Sequence, residues 1–129
     1  MRKRISSGSS FESNVGYSRA IVDGDMMWVS GTTGFNYETM TISEDVVEQA
    51  EQTFRNIKTA MEQEGFALDH VVRVNYIFPN GADFEPCWPV LRKYLGGARP
   101  ACTVIVAGLV DPRMKIEIEV TAKKPARLA

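Results

Sequence analysis

A stretch from about Glu44 to Glu64 has a regular helical pattern, and it constrains the fold of this chain more than any other feature. Its apolar residues recur at alternating spacings of three and four, which places them in one stripe along a helix. Ser43 is the expected N-cap, and Gly65 is expected to end the helix. The stripe consists of Val47, Ala50, Phe54, Ile57 and Met61. An apolar stripe of this length has to pack against a second layer of structure.

Two β-prone runs precede the helix and form a predicted hairpin. Tyr17–Val22 and Met26–Ser30 are separated by Asp23-Gly24, which is the strongest short-range signal for a hairpin turn. A further short strand is expected at Lys3–Ser6. Residues 7–16 are rich in serine, glycine and asparagine, and they are therefore interpreted as a loop.

Four further elements are predicted after the long helix. His70–Phe78 is rich in β-prone residues, and Phe84–Leu95 is a second helix in which Pro89 implies a late start or a distorted first turn. Cys102–Ala107 is almost continuously apolar and β-branched, as a central strand is. Met114–Ala122 alternates in polarity, so its two sets of residues face opposite sides of a sheet. One set is Ile116, Ile118, Val120 and Ala122, and the other is Glu117, Glu119 and Thr121.

The order of elements, ββ-α-β-α-ββ, predicts a single α+β domain over residues 1–129. Two helices can cover only one face of a sheet of about four or five strands. The opposite face would mix polar and apolar side chains, namely Arg73, Asn75, Glu117, Glu119 and Thr121 beside Val71, Ile77, Val104 and Val106. Such a face is too apolar for water and too polar for the core of a monomer. We therefore expect these faces to pack together in an oligomer.

Composition argues against several classes of function. The 129 residues carry a formal net charge of −1, whereas nucleic-acid binders usually have a clear basic excess, so nucleic acid is not an expected partner. The chain has no apolar run near the roughly 20 residues of a membrane span and no apolar segment after its basic N-terminus. A cytoplasmic location away from membranes is therefore expected. Two cysteines and one histidine do not match the usual spacing of a zinc site, so no metal is expected.

Two segments near the C-terminus are similar to a known family signature. They are Arg99-Pro-Ala-Cys-Thr-Val-Ile-Val-Ala-Gly-Leu and Lys115-Ile-Glu-Ile-Glu-Val-Thr-Ala. Further agreement in order and spacing comes from Gly16-Tyr17, Ser30-Gly31, Val72-Arg-Val-Asn-Tyr-Ile-Phe and Asp83-Phe84. The chain therefore resembles the Rid family of reactive-intermediate deaminases, also called YjgF or L-PSP endoribonuclease-like, over nearly its whole length.

The resemblance implies a chorismate-mutase-like α+β fold, assembled as a homotrimer with three clefts between subunits. For the best-known branch of the family it implies hydrolysis of small enamines and imines, which needs no cofactor. By position, Glu117 would orient a water, Tyr17 would help to close the site, and the backbone of Gly31 would line it. The expected partners are a small carboxylate-bearing metabolite and further copies of this chain.

Two positions depart from the deaminase branch. The arginine that holds the substrate carboxylate in that branch falls on Ala101, while Arg99 lies two residues upstream. A shift of two positions displaces a side chain by roughly 6.6 Å along a strand. This displacement disturbs the fixed geometry that carboxylate binding by arginine needs. Trp88 stands where that branch has an asparagine, and as a substrate-binding residue it would stack on a planar ligand. The chain therefore resembles a sister branch in which imine deamination is not assumed.

Three functions remain open from the sequence. In the first, Glu117 activates water in a cleft where Arg99 or a backbone donor holds the substrate anion. In the second, the same cleft binds or senses a metabolite without catalysis. A ribonuclease is ranked last, because the net charge is −1 and the sole histidine, His70, has no evident partner. Structural interpretations also remain: Glu117 as a solvated carboxylate, Arg99 as a loop cation, Tyr17 as a packed strand residue, Trp88 as an interface plug and Cys102 as a buried apolar residue.

Overall fold

A mixed β-sheet is the central element of the computed structural model, which describes residues 2–126. Its strands are β1 (Lys3–Ile5), β2 (Ala20–Asp23), β3 (Met26–Thr33), β6 (Val71–Phe78), β7 (Ala101–Val106) and β8 (Glu117–Lys123), while β4 (Phe35–Asn36) and β5 (Thr41–Ile42) form a separate small pair. The helices are α1 (Ser10–Val15), α2 (Val46–Glu62) and α3 (Phe84–Leu95). The six strands of the sheet lie in the order β1-β2-β3-β8-β6-β7, and only β6 and β7 are parallel among these described pairs. The α+β class is confirmed, and the sheet is larger than predicted.

The predicted hairpin joins β2 and β3. Asp23 pairs with Met26, which leaves Gly24 and Asp25 as a two-residue turn. Gly24 has a φ of 62°, a conformation that glycine adopts at little cost. The signal at Asp23-Gly24 therefore identified the turn correctly, and the short strand expected near Lys3 is confirmed as β1.

α2 and α3 cover one face of the sheet, as predicted. The stripe of α2 enters the core through Ala50, Phe54, Ile57 and Met61. The N-cap of α2 is Asp45, whose side chain accepts a hydrogen bond from Glu48 N, so the expectation of Ser43 is wrong. The Ser43 hydroxyl instead accepts from Asp45 N in the preceding turn. α3 begins at Phe84 as predicted, with Pro89 inside it. No helix within residues 2–126 has the length and apolar character that crossing a lipid bilayer requires.

Residues 7–16 contain a short helix, so their interpretation as a loop is wrong. Ser9 caps α1 by accepting a hydrogen bond from Phe11 N, and Gly16 ends the helix with a φ of 94°. The serine and glycine that suggested a loop are thus the capping residues of this helix. α1 also buries the carboxylate of Glu12, which is 6% exposed.

β7 lies at the edge of the sheet, so the prediction of a central strand is wrong for the single chain. It pairs with β6 on one side, and all 6 of its residues are exposed. Its apolar, β-branched sequence is nevertheless typical of a covered strand. An unpaired strand edge of this composition is prone to pair with another chain.

Three residues predicted to face away from the helices, Val71, Val104 and Val106, lie on the helix-bearing side instead. In β7 the alternation is offset by one residue: Val104 pairs with the buried Tyr76, so Ile105 takes the opposite side. Val71 lies in the core because the pairing of β6 with β8 shifts just after it. We call the side opposite the helices the open face. It carries Ile21, Trp28, Ser30, Arg73, Asn75, Ile77, Ala101, Thr103, Ile105, Glu117, Glu119 and Thr121.

Candidate functional site

The open face holds a shallow cavity of about 350 Å³ beside polar side chains of β6 and β8. Asn75 donates from Nδ2 to Glu119 Oε1 at 2.7 Å across these two strands. Arg73 lines the same cavity, and the ring of Trp28 and the aliphatic side chain of Ile21 form its apolar walls. The predicted mixture of polar and apolar side chains on this face is therefore confirmed.

Glu117 lies at one end of the open face, directly beside the backbone of Gly31. The pairing of β3 with β8 is irregular between Val29 and Thr32, and this bulge brings Gly31 over the carboxyl group. A Cβ atom on Gly31 would lie 2.8 Å from Cδ of Glu117. Any side chain at position 31 would therefore displace the carboxylate.

The environment of Glu117 favours the protonated form of its carboxyl group. Burial raises its pKa above the ordinary value, the neighbouring charge of Glu119 raises it further, and Arg19 opposes both effects in part. A carboxylate with a raised pKa is a stronger base than a fully solvated one. This property suits a group that takes a proton from water.

Gln49 anchors the segment before Glu117 from the helix-bearing side. This fully buried side chain donates from Nε2 to Arg113 O at 2.8 Å and accepts from Lys115 N at 2.9 Å. Both contacts fix the segment that leads directly into β8. Gly34 permits the close approach of the chain to α2, because a Cβ atom there would lie 2.7 Å from Cα of Gln49.

Arg19 connects Gly31 with Tyr17, and sequence analysis missed it. Its side chain is 1% exposed. Nη1 donates to Gly31 O at 2.9 Å and to Thr32 Oγ1 at 3.2 Å, while Nη2 donates to the Tyr17 hydroxyl at 3.4 Å. The guanidinium also lies near two aromatic rings, with Cζ 5.6 Å from the ring centroid of Tyr17 and 4.7 Å from that of Tyr37.

Glu12 of α1 is the counter-ion of Arg19. Nε of Arg19 lies 3.5 Å from Oε2 of Glu12, and Glu12 also accepts hydrogen bonds from the backbone and the hydroxyl of Ser7. Burial alone would raise the pKa of Glu12, but hydrogen bonds from Ser7 and Ser6, together with the smaller effect of the Arg19 charge, outweigh burial and lower the pKa. The two residues therefore form a buried ion pair. Nothing in the sequence predicts it unless α1 is first recognised as a helix.

Three of the predicted site residues are thus brought together in one chain. The guanidinium of Arg19 bonds to Tyr17 and Gly31, and its charge acts on Glu117, which lies against Gly31. Tyr17 is 36% exposed, so part of its side chain remains available to a ligand.

Ala101 lies on the open face but far from Glu117 within one chain. Ala101 pairs with Arg73 of β6, whereas Glu117 pairs with Ile77, further along the same strand. With about 3.3 Å per residue along a strand and about 4.8 Å between strands, roughly 13 Å of strand length and two strand spacings separate the two residues. One small ligand can contact both positions only if a second copy of the chain supplies one of them.

Arg99 and Trp88 lie on the helix-bearing side of the sheet. Arg99 is exposed, has a φ of 47°, and lines a groove with Leu95 and Cys102. Trp88 is exposed on α3, with its ring centroid 5.7 Å from that of Phe84. The sheet therefore separates both side chains from Glu117 in the described chain.

The cysteine and histidine side chains lie outside this cluster. Cys87 and Cys102 are free thiols. Burial raises the pKa of Cys87 to about 11, and partial desolvation by neighbouring atoms raises the pKa of Cys102 against the opposing charge of Arg73. Cys102 is exposed on β7, so its interpretation as a buried residue is wrong. His70 accepts a hydrogen bond from Ala67 N at 3.0 Å through Nδ1. Within residues 2–126, no group of three or more His, Cys, Asp or Glu side chains is placed to hold a metal ion.

The sequence profile of the family described as Endoribonuclease L-PSP matches residues 7–124, which is nearly the whole chain. The protein belongs to this family. The resemblance carried by Arg99–Leu109 and Lys115–Ala122 is therefore confirmed, and the Rid and YjgF names apply to the same group.

Solved members of the Rid/YjgF family share the fold described above. Rv2704 from Mycobacterium tuberculosis, a member of the YjgF/YER057c/UK114 family, is 34% identical with a TM-score of 0.86, and the match covers 96% of this chain and 100% of that one. RidA from the Antarctic bacterium Psychrobacter sp. PAMC 21119 is 30% identical with a TM-score of 0.85, covering 95% and 99% of the two chains.

The chain is also similar in sequence to a named enzyme. The 2-iminobutanoate/2-iminopropanoate deaminase of Dermatophagoides farinae is 29% identical over 104 residues, 80% of this chain and 81% of that protein.

Proposed function

We propose that this Rid/YjgF protein binds a small carboxylate-bearing imine or enamine on the open face and hydrolyses it slowly, with Glu117 activating the water. The proposal is carried by the partly buried Glu117 carboxylate, which has a raised pKa and lies against the backbone of Gly31. The substrate class is supported by the similarity to the D. farinae imine deaminase.

The reaction needs a well-placed water and proton transfer more than strong activation of the substrate, because an imine carbon is already electrophilic. In the proposed step, Glu117 takes a proton from water while the water oxygen bonds to the imine carbon. The proton then passes from Glu117 to the nitrogen. This addition turns the C=N bond into a single bond. The hydroxyl proton is then transferred to the nitrogen, the C–N bond breaks, ammonia leaves, and the C–O bond becomes the carbonyl of a 2-oxo acid.

We place the working site between subunits of a homotrimer. The exposed apolar edge of β7 supports an assembly, because a strand of this composition is stable when another chain covers it. The distance between Ala101 and Glu117 within one chain supports a site shared by two copies. Arg99 and Trp88 would reach this site only from a neighbouring subunit.

Metabolite binding without catalysis is the second candidate function. It is favoured by Ala101, which places a methyl group where the deaminase branch has its carboxylate-binding arginine. Losing a charged hydrogen bond to a ligand costs roughly 1.5–3 kcal/mol, so the substrate would be held less firmly. This loss is the reason why we propose slow turnover.

The test is the rate of loss of 2-iminobutanoate, generated in situ, above its spontaneous rate. We expect the wild type to accelerate hydrolysis and Glu117→Gln to remove the acceleration. Binding of the product 2-oxobutanoate should change by less than about twofold in this variant, because water activation acts mainly in the transition state. Glu62→Gln, at an exposed position of α2 on the other side of the sheet, is the matched control and should remain active. A wild type without acceleration that still binds 2-oxobutanoate would support the binding function instead.

A further inference from the structure

Arg19 is a buried cation that the proposed reaction does not use. It is 1% exposed, whereas the neighbouring Tyr17 is 36% exposed on the rim of the candidate site. Burying an unpaired charge is costly, and Glu12 reduces that cost by pairing with it. An apolar side chain of similar size would fill the same space without this requirement, so the presence of an ion pair here calls for a physical reason.

The ion pair has a definite orientation. Glu12 meets Arg19 at Nε, on the side of α1, while both Nη atoms face the site and bond to Gly31 and Tyr17. The negative end of the pair therefore points away from Glu117, and the positive end points toward it. The opposing effect of Arg19 on the raised pKa of Glu117 agrees with this orientation.

A guanidinium can only donate hydrogen bonds. The Tyr17 hydroxyl therefore accepts from Nη2 of Arg19, and its own hydrogen has to point to a different acceptor. The Gly31 carbonyl is also held by Arg19, on the buried side, which turns this acceptor away from an anionic ligand. Both contacts make the rim of the site a donor surface.

We propose that Arg19 is a positioning residue that gives the site its preference for a carboxylate, acting from behind through the hydroxyl of Tyr17. This inference deepens the proposed function and rests on it. Arg19 would in this way partly replace the positive charge that the deaminase branch is expected to have at position 101. The ligand group that meets Tyr17 is then an acceptor, and an ionised carboxylate gains most from it.

The test compares binding of 2-oxobutanoate with that of its neutral analogue 2-oxobutanamide, followed by chemical-shift titration. The key variant is Glu12→Gln combined with Arg19→Met, because removing both charges leaves no unpaired charge in the interior. We expect the wild type to prefer the carboxylate by at least about fivefold, and the double variant to lose most of this preference. Binding of the amide should change little.

The same double substitution is then made in a Tyr17→Phe background. Since Arg19 acts through the Tyr17 hydroxyl, the substitution should now change the preference by less than about twofold. If the double substitution lowers the carboxylate preference equally in both backgrounds, Arg19 has a merely structural role and the inference is overturned. The same holds if it lowers the affinities for the carboxylate and the amide equally. A wild type with no preference for the carboxylate would also overturn it.

Arg19→Lys is the second variant, in case the double variant does not fold. Lysine keeps the charge but loses the planar fork that reaches Gly31 and Tyr17 together, so the preference should fall and an unchanged preference would contradict the inference. Turnover of 2-iminobutanoate is measured separately. Absent turnover with an intact, Tyr17-dependent carboxylate preference rejects the proposed hydrolysis and leaves the role of Arg19 standing.

Discussion

The two ends of the open face differ in how far a single chain completes them. Around Glu117, the polar groups are already arranged: Arg19 bonds to Gly31 and Tyr17, and the bulge in β3 seats Gly31 against the carboxylate. At β7, by contrast, an apolar strand is exposed along its whole length. A single chain therefore arranges the polar groups around Glu117, whereas it leaves the β7 edge uncovered.

Charging the β7 edge should have the largest effect. Ile105 is 45% exposed on the open face, and a partner is expected to cover it. Ile105→Asp would bury a carboxylate in that contact, so the assembly should separate into 14.4 kDa monomers and lose turnover. Analytical ultracentrifugation checks this outcome. Lys58→Asp, on the exposed side of α2, should remain assembled, and a monomeric wild type would contradict the expectation.

Removing Glu12 alone from the Glu12–Arg19 ion pair should have the next largest effect. Glu12→Ala leaves the Arg19 charge buried alone, which costs roughly 3–5 kcal/mol in the free energy of unfolding. Urea unfolding measures the loss. Glu62→Ala, which removes the partner of Lys58 from an exposed pair, should cost no more than about 1 kcal/mol.

The pH dependence of this loss has a definite sign. Because the pKa of Glu12 is lowered from 4.5, its stabilising contribution is complete above pH 4.5 and disappears as the pH falls through the lower native value. The difference between the wild type and Glu12→Ala should therefore shrink in acid. A difference that grows below pH 4.5 would mean that the carboxylate is not held by Arg19 and Ser7.

Glu117→Gln should have a smaller effect on stability, and of opposite sign. The pKa of Glu117 is raised above 4.5, so ionising this residue costs more in the native state than in the unfolded state. The stability of the wild type should fall as the pH rises from 4.5 through the native pKa. The glutamine variant should therefore melt at a higher temperature at pH 8 and at nearly the same temperature at pH 4. Thermal unfolding at both pH values checks this, and a variant less stable at pH 8 contradicts it.

Arg99→Ala should have the smallest effect. Arg99 is exposed on the helix-bearing side, and surface substitutions usually change the free energy of unfolding by no more than about 0.5 kcal/mol. We expect the affinity for 2-oxobutanoate to stay within about twofold, and Arg92→Ala, in the same groove, is the matched control. A loss specific to Arg99 of more than about tenfold would show that this side chain reaches the ligand from a neighbouring subunit.

Repeating patterns predicted most of the fold. The stripe of α2 and the alternation of β8 each extend over several turns or pleats, so they identify both the element and its buried side. α1 was missed because six residues are too few to show a period, and its serine and glycine caps are also typical of loops. β7 was misplaced because its apolar, β-branched composition is typical of a covered strand, whereas in the single chain this strand lies exposed at the edge of the sheet.

The site was predictable only as far as the family signature extends. Tyr17, Gly31 and Glu117 were named by position, and the structure gathers them in one place. Arg19 was not found, because its importance depends on burial and on contacts with residues distant from it in sequence, such as Gly31. An arginine two residues after a tyrosine is ordinary in a sequence, and only the fold shows that its side chain is buried.

The close approach of Gly31 to Glu117 also determines how the site can change by mutation. The group that a new Cβ atom would meet is the end of a flexible side chain, so alanine at position 31 can be accommodated by moving the carboxylate. Such a change would keep every functional group of the chain and alter only the place from which one of them acts. A lineage or a laboratory library that varies position 31 would therefore explore new positions of the Glu117 carboxylate, the proposed base, without replacing Glu117 itself.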